Sequence, residues 1–203
     1  MHICISDIVK RRLNLTDKFI YGSILPDNIK MATGDRDKTH YIKQVMIGKD
    51  RRYLPDIQQA IEELDIEDKE TRLGYIAHLV EDLIWFNDFI PTYAYKINES
   101  EYEYLNTHCI KSSEEFSKDM YSDYFNSSAY IIEKTNTDIE SLKKYICNYL
   151  GYEQFNEIVL ENLKYDKNTD LSSNIFMTKE SIDKYIQVCT EQVEKVILKL
   201  LGD

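Results

Sequence analysis

Glycine and proline are scarce, and this limits which folds the chain can adopt. The 203 residues include only 6 glycines and 3 prolines. A β-sandwich or barrel needs turn residues at intervals of about 8 to 12 residues, whereas long helices need few of either. With 43% apolar and 30% charged residues, the composition is that of an ordinary globular protein. We therefore predict an all-α fold, a single-domain multi-helix bundle spanning residues 1–203.

The charge and hydropathy of the chain indicate which partners to expect. The formal charge is −11 at pH 7, whereas nucleic-acid backbones and anionic membranes attract clustered Lys and Arg. Long nucleic acids are therefore not expected as partners. No apolar run approaches the roughly 20 residues that cross a bilayer, and the N-terminus lacks the apolar core of a secretory signal. We expect a cytoplasmic protein without a transmembrane segment, and its oligomeric state stays open.

The spacing of apolar residues predicts a series of helices. Ile3 to Leu13 has helical spacing, whereas Asn14 to Lys38 contains Gly22, Pro26 and Gly34 and is predicted to be a loop that carries function. Pro55 suits the first turn of a short helix ending near Leu64, and Asp68 is expected to cap a long helix of roughly 69–90. The second half is interpreted as scaffold, with helices near 100–133, 138–150, 153–164 and 178–201.

The most informative stretch is Gly74-Tyr75-Ile76-Ala77-His78-Leu79-Val80-Glu81-Asp82, because histidine is rare, with only 4 in the chain. On a helix, residues four apart share one face, so His78 and Asp82 can direct an imidazole and a carboxylate at a common ion. Upstream, Asp27 and His40 offer further ligands. In isolation, such a pair is more often a core histidine bonded to a surface aspartate.

Four elements, taken together and in order, resemble the zinc-dependent phospholipase C family, which shares its helical architecture with fungal zinc nucleases. These elements are His2, the turn Gly22-Ser23-x-x-Pro26-Asp27, the triplet Thr39-His40-Tyr41, and Gly74-Tyr75-x-x-His78-x-x-x-Asp82 followed by Trp85. The resemblance covers residues 1 to about 90, a little under half of the chain. It implies a helical bundle of the phospholipase C type.

The resemblance also implies a set of metal ligands. Asp27, His40, His78 and Asp82 would bind a first zinc ion, and Asp82 would bridge to another ion held by His2. Relatives hold a further zinc with a histidine six residues after the bridging aspartate and with a His-x-x-x-Glu or His-x-x-x-Asp pair.

At this further site the chain departs from the family. Asp88 stands where relatives have the first histidine, and Asp119 and Asp123 are the nearest candidates for the later pair. Carboxylates would suit a harder divalent ion such as calcium, magnesium or manganese. Alternatively the site is lost, since pairs of surface aspartates are common in so acidic a protein. His108 matches no motif and is interpreted as a loop or surface residue.

One to three zinc or other divalent ions would make the chain a metal-dependent phosphoesterase. Such ions hold a phosphate ester, lower the pKa of a bound water towards 7 and stabilise the charge of the transition state. Asp27 is the best candidate to orient or deprotonate that water, and Glu81 is the second, although Glu81 can also simply face solvent. The expected substrate is a small phosphoester or a phospholipid-derived phosphodiester. The alternatives are a nuclease or nucleotide phosphatase on the same scaffold, and a non-catalytic metal-binding helical protein.

Overall fold

The fold was determined as a computed structural model, which describes residues 1–47, 50–150 and 170–202. Helices dominate, but two antiparallel sheets are also present, so the all-α prediction is wrong and the fold is mixed. In chain order the helices are α1 (His2–Leu13), α2 (Asp17–Thr33), α3 (Arg36–Thr39), α4 (Ile57–Glu63), α5 (Lys69–Ile84), α6 (Ser113–Thr135), α7 (Ile139–Leu150) and α8 (Lys179–Gly202). The strands are β1 (Ile42–Ile47), β2 (Asp50–Pro55), β3 (Ala94–Asn98), β4 (Glu101–Tyr104) and β5 (Cys109–Ser112).

The sheets form where aromatic and β-branched residues are concentrated. Strands β1 and β2 pair so that Ile42 lies opposite Pro55, and β4 pairs with β3 and β5 in a three-stranded sheet. The prediction of a helix near 100–133 is therefore wrong for residues before Ser113, which form β4, β5 and the turn between them. The helix begins instead at Ser113, where Ser112 and Glu115 form a capping box.

The segment predicted as a loop between Asn14 and Lys38 is mostly helix α2. Its ends match the local signals, because Asn14 and Gly34 adopt left-handed conformations that end α1 and α2. Pro26 lies inside the helix. Proline lacks the N–H that would bond the Gly22 carbonyl, but burial of apolar side chains along the helix offsets that loss. Those side chains are Phe19, Ile20 and Ile24, each at most 4% exposed.

Helices α2 and α5 pack closely together, and two glycines make this possible. A Cβ atom on Gly22 would overlap the carbonyl oxygen of Thr71, and a Cβ on Gly74 would overlap that of Phe19. Each of these Cβ atoms would also lie 3.0 Å from the Cα of the other glycine. The two backbones are therefore in direct contact, which no larger residue at either position would allow.

Most of the other predicted helices are present with small changes. The Asp68 side chain accepts a hydrogen bond from the Thr71 N–H at 2.9 Å and so caps α5. After Ile84 the chain continues as a π-helical turn (Trp85–Phe89) and a short 3₁₀ helix (Ile90–Thr92) rather than as one helix to residue 90. Pro55 ends β2 and Asp56 caps α4. The predicted helix at 153–164 lies outside the described residues.

The last helix, α8, packs on α1 and α5 and closes the main core. Its residues Tyr185, Cys189 and Val193 are buried against that core. Among the described residues, no helix combines the length and apolar character needed to cross a membrane. The cytoplasmic location stays a prediction.

Replacing Gly74 by Ala should destabilise the protein strongly, because the added methyl group would overlap the Phe19 carbonyl and push α2 away from α5. We expect the free energy of unfolding, measured by urea denaturation, to fall by about 3 kcal/mol or more. Gly202 is the matched control, since a Cβ there meets nothing within 4 Å. Gly202→Ala should be neutral or slightly stabilising, and an equally small effect of Gly74→Ala would contradict the close packing.

Candidate metal centre

The structure brings together the side chains of His2, Asp27, His40, His78 and Asp82. They come from α1, from α2, from the residue that ends α3, and from α5. Among the described residues, two groups have ligand atoms close enough to hold one ion, His2 with Asp27 and His78, and His40 with His78 and Asp82. Within each group these atoms all lie within 4.8 Å of one another.

The centre of the cluster is formed by two histidine nitrogens and two carboxylate oxygens. The Nε2 atoms of His40 and His78 are 3.2 Å apart. His40 Nε2 lies 3.5 Å from Asp27 Oδ1 and 3.7 Å from Asp82 Oδ2. His78 Nε2 lies 3.9 Å from Asp82 Oδ2. In a tetrahedral zinc site with bonds of about 2.0–2.1 Å, neighbouring ligand atoms are about 3.3–3.4 Å apart, so the spacing here is close to that of a zinc site.

Backbone and side-chain contacts determine which histidine nitrogens carry protons. His78 Nδ1 lies 2.8 Å from the Ser23 carbonyl oxygen, which can only accept, so Nδ1 carries the proton and Nε2 has a free lone pair. His40 Nδ1 lies 2.9 Å from the Thr39 hydroxyl. That hydroxyl donates its own proton to the Asp35 carbonyl, so it accepts from His40, whose Nε2 lone pair also faces the centre.

Four electron-pair donors therefore lie near one another, and of these Asp27 Oδ1 also accepts a hydrogen bond from Lys30 at 3.1 Å. A proton on one imidazole can bridge the two Nε2 atoms, but it cannot satisfy the carboxylates. Their oxygens lie 3.5 to 3.9 Å from the nitrogens, which is longer than the ordinary N–H···O distance of about 2.7–3.2 Å. A divalent cation could contact the ligand atoms of His40, His78 and Asp82, which all lie within 4.8 Å of one another. The donor types and their spacing are therefore compatible with a metal ion.

His2 completes one side of the cluster. Its ring stacks on that of His78, with centroids 3.9 Å apart and an interplanar angle of 22°. Its Nε2 lies 3.5 Å from Asp82 Oδ1, while the other oxygen of Asp82 faces His40 and His78. Asp82 thus has one oxygen towards each side, the arrangement of a bridging carboxylate.

Burial and charge differ across the cluster. His40 and His78 are each 1% exposed, whereas the Asp27 side chain is 38% exposed and is the most accessible ligand. Burial lowers the pKa of His78 to about 4, so this imidazole is neutral at pH 7. Lys30 Nζ lies 3.1 Å from Asp27 Oδ1 and favours the ionised form of this carboxyl group.

Glu81 does not face solvent, contrary to the simpler expectation for it. Its carboxyl is fully buried, and Oε2 lies 3.0 Å from His2 Nδ1. Burial raises the pKa of Glu81 well above its ordinary value. The carboxyl is also shut off from solvent, so it is poorly placed to activate a water. Helical spacing alone could not show this, because the burial depends on α1 and α8 packing against α5.

Asp88, Asp119 and Asp123 are not brought together, which corrects the predicted carboxylate-lined site. Asp88 is exposed. Asp119 accepts hydrogen bonds from the Tyr104 hydroxyl at 2.8 Å and from Lys111 at 2.6 Å. None of the three belongs to a group of described residues that could hold an ion.

Asp123 has a structural role instead. It is 3% exposed, and Oδ2 accepts hydrogen bonds from three successive backbone N–H groups. The donors are those of Ile175 at 2.9 Å, Phe176 at 2.6 Å and Met177 at 3.0 Å. Asp123 thereby holds the segment before α8 against α6. The spacing of four residues between Asp119 and Asp123 is typical of a ligand pair, but the partners of Asp123 lie some fifty positions away in sequence and could not be inferred from it.

Two residues that sequence reasoning did not assign a role orient the metal-facing histidines. They are Ser23, through its carbonyl group, and Thr39, through its hydroxyl. Both lie within the motifs that contain the predicted ligands Asp27 and His40, and hydrogen bonds of this kind commonly fix ligand histidines. His108 is exposed and pairs with Glu103 at 2.9 Å, so it lies at the surface as expected.

Comparison with known proteins finds no match for this chain among protein-family models, curated proteins or solved structures. Its function must therefore be inferred from its residues and their geometry.

Asp123→Ala should reduce stability without changing ion binding. Three buried N–H groups would lose their acceptor, so we expect the free energy of unfolding to fall by about 3 kcal/mol. Asp88→Ala is the control and should change it by less than about 0.5 kcal/mol. Urea denaturation gives the stability and a competition assay gives the zinc affinity. If Asp123→Ala instead weakens zinc binding while stability is unchanged, the structural role is wrong.

Proposed function

We propose that the cluster of His2, Asp27, His40, His78 and Asp82 binds a divalent cation, with zinc as the preferred ion, and that the protein hydrolyses phosphodiesters with it. The observation that carries this proposal is the convergence of His40 Nε2, His78 Nε2 and Asp82 Oδ2, with Asp27 Oδ1 3.5 Å from His40 Nε2. The order of motifs that resembles the zinc-dependent phospholipase C family supports the choice of phosphodiester chemistry.

The donor set supports zinc over harder ions. Zinc accepts imidazole nitrogen together with carboxylate oxygen and prefers four ligands, whereas calcium and magnesium prefer oxygen ligands in larger numbers. The two central imidazoles are oriented by Ser23 and Thr39, which reduces the reorganisation needed when an ion binds.

An ion in this cluster would lower the pKa of a bound water and stabilise negative charge on a phosphoryl oxygen. Asp27 would orient that water and be the first acceptor of its proton, because it is the most exposed ligand and lies at the edge of the cluster. Lys30, 3.1 Å from Asp27, adds a positive charge on the same edge. This charge favours an anionic substrate there.

The substrate class that fits best is a small phosphoester or a phospholipid-derived phosphodiester. The net charge of −11 repels long polyanions, whereas a single phosphate group needs only the ion and Lys30 to offset its charge. A nuclease or nucleotide phosphatase acting on short substrates remains the second candidate on the same chemistry.

A non-catalytic ion site is the competing function, and the burial of the central ligands favours it. His40 and His78 are almost completely inaccessible, as ligands of structural zinc sites commonly are. The exposed side chain of Asp27 favours catalysis, because it leaves one edge of the cluster open to solvent. Activity measurements decide between the two.

His78→Ala should abolish most of the activity. The wild type, supplied with zinc, is expected to hydrolyse bis-p-nitrophenyl phosphate, and loss of a central ligand should lower the rate by at least about 100-fold. His108→Ala is the matched control, because this histidine is exposed and pairs with Glu103, which is not part of the cluster. The rate of this variant should equal that of the wild type.

Two results would contradict the catalytic proposal. One is an active His78→Ala protein. The other is a wild type that binds zinc but stays inert on diester substrates with zinc, manganese, magnesium and calcium each supplied. The second result would favour the non-catalytic ion site.

Asp27→Asn should separate catalysis from ion binding. The amide cannot accept a proton from water, so we expect kcat to fall by about 100-fold or more, while the zinc affinity falls by a smaller factor. Asp37→Asn, an exposed aspartate on α3, is the control for the change in charge. An Asp27→Asn protein with unchanged kcat would show that Asp27 does not serve as the base.

A further inference from the structure

A fully buried carboxyl group lies directly beside the ion cluster. Glu81 is 0% exposed, and a carboxyl group in such surroundings needs polar partners to offset its lost hydration. Its Oε2 atom has one, His2 Nδ1 at 3.0 Å. Its Oε1 atom has no hydrogen-bond partner among the described residues. The contact with His2 is therefore the main side-chain hydrogen bond of this group.

The backbone at Glu81 is held by the neighbouring helix α8. The hydroxyl group of Tyr185, itself 4% exposed, donates to the Glu81 carbonyl at 3.0 Å. Glu81 also precedes the ligand Asp82 on α5. Its carboxyl group is thus attached to the same rigid element as two of the central ligands.

His2 uses its two ring nitrogens in different ways. Nδ1 contacts Glu81, whereas Nε2 lies 3.5 Å from Asp82 Oδ1 on the side of the cluster. The ring is held flat against that of His78. When Nδ1 carries the ring proton and donates it to Glu81, Nε2 has the free lone pair that a metal ligand needs. Glu81 occupies the Nδ1 edge of the ring, so that only Nε2 can face the ion.

We propose that Glu81 is a positioning residue, which holds His2 in the orientation that presents Nε2 to the ion and to Asp82. This inference rests on the proposed function, because it takes His2 as a ligand of the cluster. It gives Glu81 a role different from that of a base, since the carboxyl group acts through His2 and does not touch substrate. It also explains why a carboxyl group is retained in the core beside the cluster.

Zinc affinity in a set of variants tests the proposal. Glu81→Leu should lower the affinity, measured by competition with a chromophoric chelator, by about 10- to 100-fold, the usual effect of losing a hydrogen bond to a ligand histidine. Glu81→Gln should stay within about threefold of the wild type, because the amide can donate or accept at the same nitrogen. The visible absorption of the cobalt-loaded protein should change in Glu81→Leu and be preserved in Glu81→Gln.

A double variant separates positioning from general damage to the core. If Glu81 acts only through His2, then Glu81→Leu should cause no further loss of affinity in a His2→Ala background. Tyr185→Phe is the control. It removes the hydrogen bond to the Glu81 carbonyl but leaves the carboxyl group, and its cobalt spectrum should match that of the wild type.

Histidine ¹⁵N NMR of the wild type tests the same inference without any variant, and so does not depend on whether Glu81→Leu folds. On addition of zinc, the Nε2 resonance of His2 should shift as expected for a metal-bound nitrogen, while Nδ1 stays hydrogen-bonded. Zinc on Nδ1, or no change at either nitrogen, would overturn the proposal.

Two affinity results would also overturn it. One is a Glu81→Leu protein with wild-type affinity, and the other is an equal loss from Glu81→Leu with and without His2. In both cases, if His78→Ala still loses zinc affinity, the proposed ion site would stand and only the role of Glu81 would be wrong. A wild type that binds neither zinc nor cobalt would instead overturn the proposed function, and this inference with it.

Discussion

The contact between α2 and α5 at Gly22 and Gly74 is the constraint on which the cluster depends. Because the two backbones touch there, the carbonyl group of Ser23, the next residue on α2, reaches the ring of His78, one turn beyond Gly74 on α5. That hydrogen bond places the proton on Nδ1 and directs the lone pair of Nε2 towards His40. A larger residue at either glycine would separate the helices and remove the support of the central ligand.

The cluster concentrates electron-pair donors in an already acidic protein. Two imidazoles and two carboxylates converge, and Ser23 and Thr39 orient the imidazoles without adding positive charge. Lys30 contacts only the exposed edge, at Asp27. An ion would offset this repulsion, and binding of an ion to the folded chain alone would stabilise the fold. The positive charge of the ion would also allow this acidic protein to bind a phosphate ester. Stability and activity would then both depend on the bound ion.

Local patterns predicted those parts of the fold that depend on local interactions. Helices α1, α5 and α8 follow from apolar spacing, and the Asp68 cap from its position before α5. Helix α2 was missed because Gly22, Pro26 and Gly34 indicate a loop, whereas packing against α5 outweighs them. The sheets were not predicted, because few glycines and prolines favour long helices, whereas Tyr95, Tyr102 and Tyr104 favour the strand conformation in β3 and β4. In the site, the order of the motifs predicted five candidate ligands that the structure brings together. The structural role of Asp123 and the burial of Glu81 could not be predicted, because they depend on contacts between residues distant in sequence.

X-ray diffraction from zinc-soaked crystals, with anomalous data at the zinc edge, tests the central claim most directly. The account predicts a strong anomalous peak within about 2.0–2.2 Å of His40 Nε2, His78 Nε2 and carboxylate oxygens of Asp27 and Asp82. Helices α2 and α5 should stay in place, because the glycine contact has already set the geometry of these ligands. A crystal with no peak at this cluster, or with zinc bound only at surface carboxylates such as Asp88, would contradict it.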